Sequence, residues 1–151
     1  MKIAGVILTI LTISCLVGCG GSVAEFEGTL VPVTGNVTIN DAPAEGMSIA
    51  FLPDKSTNTP GTGAYAVTDS SGKFSLMHRT GEPGVEAGNY KVVFSKYEMP
   101  DGSAIPADTN PEEAGAKESI PPKYSSADKT MSIVTVKSGG NEFTFDLKFK
   151  E

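Results

Sequence analysis

Residues 142–149 read EFTFDLKF. In an extended chain Phe143, Phe145, Leu147 and Phe149 fall on one side, with Thr144, Asp146 and Lys148 on the other. Strict alternation of this kind is the signature of a strand with one buried face. It recurs along the chain. Val33, Gly35, Val37 and Ile39 share a face in residues 31–39, and Met47, Ile49 and Phe51 do so in residues 47–53. Phe74 and Leu76 alternate with Lys73 and Ser75, and Tyr90, Val92 and Phe94 alternate with Lys91, Val93 and Ser95. Residues 64–69, AYAVTD, and 131–136, MSIVTV, add two short strands, the former with Tyr65 and Val67 as its larger residues. No segment shows helical periodicity. Asn, Asp, Pro and Gly cluster between the strands, where turns need them. One-sided strands are stable only when a second layer covers them. The chain of 151 residues is therefore predicted to be one all-β domain, a seven-stranded antiparallel β-sandwich.

One connection breaks the rhythm. Residues 97–130 separate the fifth strand from the sixth, and so long a link is uncommon in a compact domain. It is rich in Pro and carries Asp101, Asp108, Glu112, Glu113, Glu118 and Asp128. It reads as an exposed, partly ordered loop, with Ile105, Ile120 and Tyr124 as the residues able to pin it to the sandwich. Tyr97 and Tyr124 make it the expected contact surface.

The N-terminus has a different character. Lys2 precedes an apolar run from Ile3 to Val17, followed by Gly18, Cys19 and Gly20. This is the layout of a secretory signal. A spanning helix needs about 20 apolar residues, and the next Lys after the run is Lys55. Leu16–Cys19, LVGC, resembles the bacterial lipobox. That resemblance implies cleavage before Cys19, a diacylglyceryl thioether on Cys19 and acylation of the new amino terminus. The other readings are an ordinary cleaved signal with an incidental Cys, and an uncleaved helix. On the lipobox reading residues 1–18 are the signal peptide, residues 19–30 a lipidated tether and residues 31–151 the folded domain. Cys15 leaves with the signal and no disulfide forms within the domain. At about 3.4 Å per residue the stretch from Gly20 to Leu30 reaches no more than about 35 Å. The protein is expected to be exported and membrane-anchored. Gly20 after the Cys, where Asp acts as an inner-membrane signal in many two-membrane bacteria, leans toward the outer membrane, facing periplasm or surface.

Three stretches resemble carboxypeptidase regulatory-like domains. VTGNVTINDAPAEGMSIAFLP is similar to their opening strands and turn, AVTDSSGKFSL to their Thr-Asp-x-x-Gly-x-Phe hairpin, and EAGNYKVVFSK to their Gly-x-Tyr-x-Val strand. The close, from Ile120 to Lys148, looks like that of small bacterial lipoproteins built on this domain. The resemblance implies a transthyretin-like (prealbumin-like) sandwich and little about activity, since function resides in sites rather than folds.

Chemistry is sparsely signalled. The net charge is −6 and no Lys/Arg cluster occurs, which argues against nucleic acid. His78 is the one histidine, with no Gly-x-Ser-x-Gly elbow in the chain. Transthyretin-like hydrolases use several His and Arg residues and a Tyr-Arg-Gly-Ser ending, whereas this chain ends KFKE and has the one Arg, Arg79. No Cys/His spacing suits a metal, and no cofactor is expected. Asp69 and Gly72 read as a structural turn, since an EF-hand-like calcium loop needs more acids at fixed spacing. The first strand lacks the Lys that isopeptide-forming adhesin domains use. Asn36 in NVT matches a glycosylation pattern but sits in a strand. Tyr65 and Tyr90 read as core or strand positions. The expectation is a non-enzymatic, lipid-anchored envelope protein whose sandwich serves structure or protein interaction. The alternative is a glycan- or ligand-binding accessory module at the cell surface.

Overall fold

The structure, a computed structural model, describes residues 28–150. The signal, Cys19 and all but the last residues of the tether lie outside the described residues. Among the described residues no helix is long and apolar enough to cross a membrane.

The described chain is an all-β sandwich. Its strands in chain order are β1 (Leu30–Val31), β2 (Val33–Ile39), β3 (Ala42–Pro43), β4 (Ser48–Pro53), β5 (Ala64–Val67), β6 (Lys73–Ser75), β7 (Met77–His78), β8 (Val85–Glu86), β9 (Gly88–Ser95), β10 (Tyr97–Glu98), β11 (Lys117–Glu118), β12 (Ile133–Val136) and β13 (Asn141–Leu147). A single helical turn, α1, spans Pro122–Ser125. One sheet runs β12-β9-β4-β5-β7, and the other runs β13-β2-β3 with β6 also on β2. Phe51 joins the layers: its ring lies 6.0 Å from Tyr90 in its own sheet, and 6.0 Å from Phe143 and 6.4 Å from Phe74 across the interlayer space. Val33, Val37, Met47, Ile49, Phe51, Leu76, Tyr90, Val92 and Phe94 are all buried, so the alternating positions face inward.

Three local features depart from the simple pattern. The first is pairing direction. β13 lies parallel to β2, from Asn141 opposite Val33 to Leu147 opposite Ile39, in a sandwich whose other pairs are antiparallel. The turn at residues 137–140 carries the chain from the edge of one sheet to the edge of the other, so β13 starts at the end where β2 starts. The second is a corner. The stretch from Lys73 to Met77, expected as one strand, is two: β6 pairs with β2 and β7 with β5. Leu76 is the switch point, fully buried, its N–H bonded to the carbonyl of Val33 at 2.9 Å. Strands that turn a corner between sheets close the side of a sandwich. The third is β5, whose smaller residues face inward. Ala64 and Ala66 are buried, while Tyr65 and Val67 are 52% and 62% exposed. Ala64 and Ala66 sit opposite Phe51 and Ile49 of β4, on the inward face.

The register fixes two ends. Pro32, the 54–63 connection, the 78–84 loop and the 137–140 turn sit where β1 enters; this is the arm end. The 40–46 and 68–72 turns, β10, β11, α1 and residues 148–150 sit at the far end. The long connection is more ordered than a loop at its base. β10 pairs with β11, and the Glu118 carboxylate accepts the backbone N–H groups of Lys96 and Ile120, each at 2.9 Å. Ile120 is 2% exposed and belongs to the core, and the Thr130 hydroxyl donates to the carbonyl of Val92 at 2.7 Å. Ile105 instead lies half-buried in a surface groove with Tyr97 and Met99.

Candidate functional site

At the far end both candidate tyrosines are held by neighbours. The Tyr97 hydroxyl donates to Glu112 Oε1 at 2.9 Å, a bond that holds its pKa above the ordinary phenol value. Tyr124, on α1, packs its ring 6.0 Å from that of Phe149. Its hydroxyl donates to the carbonyl of Lys148 at 3.2 Å and accepts the N–H of Lys148 at 3.1 Å. Lys123 Nζ lies 4.6 Å from the Tyr124 ring centroid and donates to the same carbonyl at 2.9 Å. Tyr124 thus caps the edge of the last strand, with one ring face and the hydroxyl engaged. Neither tyrosine stands as a bare platform.

The TDSSG turn is built as a turn. Asp69 Oδ1 accepts the Ser71 N–H at 2.8 Å, the Ser71 hydroxyl at 2.7 Å and the Lys73 N–H at 3.0 Å. The Ser71 hydroxyl, and then these N–H groups, hold the Asp69 carboxyl below its ordinary pKa. Gly72 has φ +77, and a Cβ there would lie 2.4 Å from the carbonyl oxygen of Val37. Asp54 and Ser56, and Asp101 and Ser103, repeat the same Asp-x-Ser device.

The arm end holds what the sequence pattern did not single out. His78 is 2% exposed, because β7 continues the inward alternation of Phe74 and Leu76 past the corner. Glu86, on β8, is 6% exposed. His78 Nε2 lies 3.7 Å from Glu86 Oε1 and 3.2 Å from the Thr62 hydroxyl. On the other side of the ring Nδ1 lies 3.0 Å from the Thr80 hydroxyl. A hydroxyl thus lies on each ring nitrogen, Thr62 with the Glu86 carboxylate at Nε2 and Thr80 at Nδ1, where the Thr80 N–H also donates to the ring at 3.4 Å. The Tyr90 hydroxyl donates to the Glu86 carbonyl at 2.8 Å, and burial first, then the Glu86 charge, push its pKa up. Position 61 has φ +88, which favours Gly, and a Cβ there would lie 2.0 Å from Glu86 Oε1, so that the carboxylate would have to shift.

Beside this cluster, and sharing Thr62 with it, β5 opens onto a surface groove of about 370 Å³ lined by Ala50, Leu52, Thr62, Gly63, Tyr65 and Arg79. Tyr65, read from the sequence as a core or strand position, is a strand residue facing solvent. An exposed face could have been found by noting that Ala64 and Ala66 were the residues small enough for the interior.

No protein-family model matches the chain, and no curated protein matches it. Two solved structures superpose weakly. One is a 9R-lipoxygenase from Cyanothece PCC8801, at 14% identity and TM-score 0.38, covering 80% of this chain and 16% of the lipoxygenase. The other is a putative carbohydrate binding protein from Pseudomonas aeruginosa, at 13% identity and TM-score 0.36, covering 83% of this chain and 92% of that one. This chain thus spans less than a fifth of the lipoxygenase, and neither superposition is close enough to equate the folds.

Proposed function

We propose that the chain is a lipid-anchored cell-envelope protein whose sandwich is a non-enzymatic structural or protein-interaction module. The observation that carries this reading is LVGC at Leu16–Cys19, placed directly after an apolar run. Each buried methylene contributes about 0.8 kcal/mol, one acyl chain binds reversibly, and two or more hold firmly. The layout of the sandwich supports the same reading. The chain enters at the arm end, while the acidic connection, with Tyr97 and Tyr124 at its base, sits at the opposite end. An anchored domain would therefore hold that connection away from the bilayer, toward an envelope partner. Replacing Cys19 by Ser is expected to release the protein from membranes or to block its processing. A Cys19→Ser variant that stays wholly with membranes, at the same mature mass, removes the anchor from the reading.

A second reading, saccharide binding at the surface, is favoured by the groove beside β5. Tyr65 offers an open ring face, and Arg79 has no ion-pair partner among the described residues. Ring face and guanidinium side by side suit a sugar carrying an acidic group. A polysaccharide screen read by thermal shift tests it: stabilisation lost in Tyr65→Ala supports it, and no stabilisation by any polysaccharide leaves the first reading ahead.

A further inference from the structure

The outward face of the five-stranded sheet departs from the usual pattern. An antiparallel sheet with one face on the core carries polar side chains on the other. Here Met77 pairs with Tyr65, Tyr65 with Ala50 and Ala50 with Val93, so four strands present an unbroken apolar row. Tyr65 and Met77 are exposed, and Ala50 and Val93 are half-buried. With strands about 4.8 Å apart, the row is roughly 14 Å long. A second row runs beside it toward the arm end. Leu52 lies opposite Lys91 and Lys91 opposite Ile133, and Arg79 shares a groove with Leu52 and Tyr65. Exposed apolar surface that spans several strands marks an interaction site.

The charges on this face are of one sign. The chain has 18 acidic residues against 12 Lys and Arg. Yet Lys91 is the one charged residue at the outward positions of β4, β5, β7, β9 and β12, and Arg79 adds a second cation beside them. Lys91 Nζ makes a long contact, 3.5 Å, with the carbonyl of Ala127. The carboxylates at the margins are engaged. Asp54, within reach of the Lys91 charge, accepts the Ser56 N–H at 3.0 Å, and Glu118 accepts the N–H groups of Lys96 and Ile120. Hydroxyls interrupt the apolar surface. Thr62 lines the groove on one side of Tyr65, and Ser48 and Ser95 line a second, of about 200 Å³, on the other.

We infer that this face binds an acidic polysaccharide laid across the strands, its sugar rings along the row from Met77 to Val93 and its carboxylates at Arg79 and Lys91. This assignment rests on saccharide binding at the groove beside β5 and extends it to the whole sheet. Tyr65, at the centre, offers the ring face. Arg79 supplies a planar fork for a carboxylate and Lys91 a point charge. One sugar covers Tyr65 alone, so affinity comes from several units held at once and depends on chain length. A second copy of the chain is a poorer occupant, since its own outward strand positions bring a cation and no carboxylate.

Titration calorimetry of the full-length protein in detergent tests this, with polygalacturonate, alginate and hyaluronate as probes. Galacturonic acid, neutral dextran and phosphatidylglycerol vesicles are titrated beside them. At least one acidic polymer is expected to bind at low salt and to lose about tenfold in affinity at about 0.5 M NaCl. Dextran and galacturonic acid should bind about tenfold more weakly or not at all. Tyr65→Ala should weaken polymer binding about tenfold, and Arg79→Gln and Lys91→Gln about threefold each, with denaturation midpoints close to that of the unaltered protein. No binding by any acidic polymer overturns both this site and saccharide binding at the groove. Galacturonic acid bound as tightly as polymer, through Tyr65 and Arg79 but indifferently to Lys91→Gln, keeps the groove and overturns the extended site. Polymer binding untouched by all three variants overturns it too. So does binding to the vesicles alone, which would assign the face to a lipid surface.

Discussion

The two ends of the sandwich handle their charges in opposite ways. At the far end the carboxylates of Asp69, Asp101 and Asp146 are exposed, and each is held by hydrogen bonds that lower its pKa. At the arm end the Glu86 carboxylate is buried and accepts no hydrogen bond among the described residues, with His78 Nε2 3.7 Å from Oε1. The Asp69 and Asp101 turns are self-sufficient, their members lying within four residues of one another, and Asp146 accepts from Thr38 on the neighbouring strand. The arm end depends on segments that meet only when the sheets close. A defect in one of these turns should remain local, whereas a defect at the arm end should reach the packing of the whole sandwich.

Substitution at matched positions breaks or sharpens this contrast. The largest effect is expected where the long connection enters the core. Ile120→Ala should lower the unfolding free energy by about 2–4 kcal/mol, while Ile105→Ala should stay within about 0.5 kcal/mol. Urea denaturation measures both, and equal losses would mean that the connection packs along its whole length. The next comparison sets two glycines of positive φ against each other. Gly61→Ala forces backbone strain and displaces the Glu86 carboxylate, for about 2–3 kcal/mol in all. Gly102→Ala meets no atom within 4 Å and carries strain alone, about 1 kcal/mol. A Gly61 variant as stable as the Gly102 variant would show that the carboxylate has room to move.

The smallest effect belongs to the Asp69 turn. Its carboxyl is held below the ordinary value of 3.8, so its contribution to stability is complete above that value and disappears as the pH falls through the folded one. Asp69→Asn should therefore cost a little stability at pH 7 and progressively less as the pH falls through the folded value, as read from denaturant midpoints. A difference that grows on acidification would contradict the turn geometry.

The same division explains what could be read from the chain. EFTFDLKF announces β13 because alternation is a local property. Its partner is not local: β2 lies more than a hundred residues earlier, and nothing in either strand encodes a parallel register. The corner at Leu76 is hidden for a related reason, since inward alternation runs unbroken through Phe74, Leu76 and His78 whichever sheet the chain is in. Tyr65 misleads because size suggests burial, whereas the inward positions of β5 are held by Ala64 and Ala66. Asp69 and Gly72 are legible as a turn because their hydrogen-bond partners lie next to them in sequence. His78 and Glu86 are not, because β7 and β8 are separated by a loop and the carboxylate that fills the place of a Gly61 side chain comes from another segment altogether.

The parallel pairing of β2 with β13 also decides how the domain bears tension. The chain enters at the start of β2 and leaves beyond the end of β13, at the opposite end of the sandwich. Force applied between these points slides the two strands lengthwise past each other. The seven residue pairs from Asn141–Val33 to Leu147–Ile39 then take the load together rather than opening in succession. A hairpin joined at one end would peel apart pair by pair, whereas these strands must yield all at once, so the domain resists being drawn out by its own N-terminal arm.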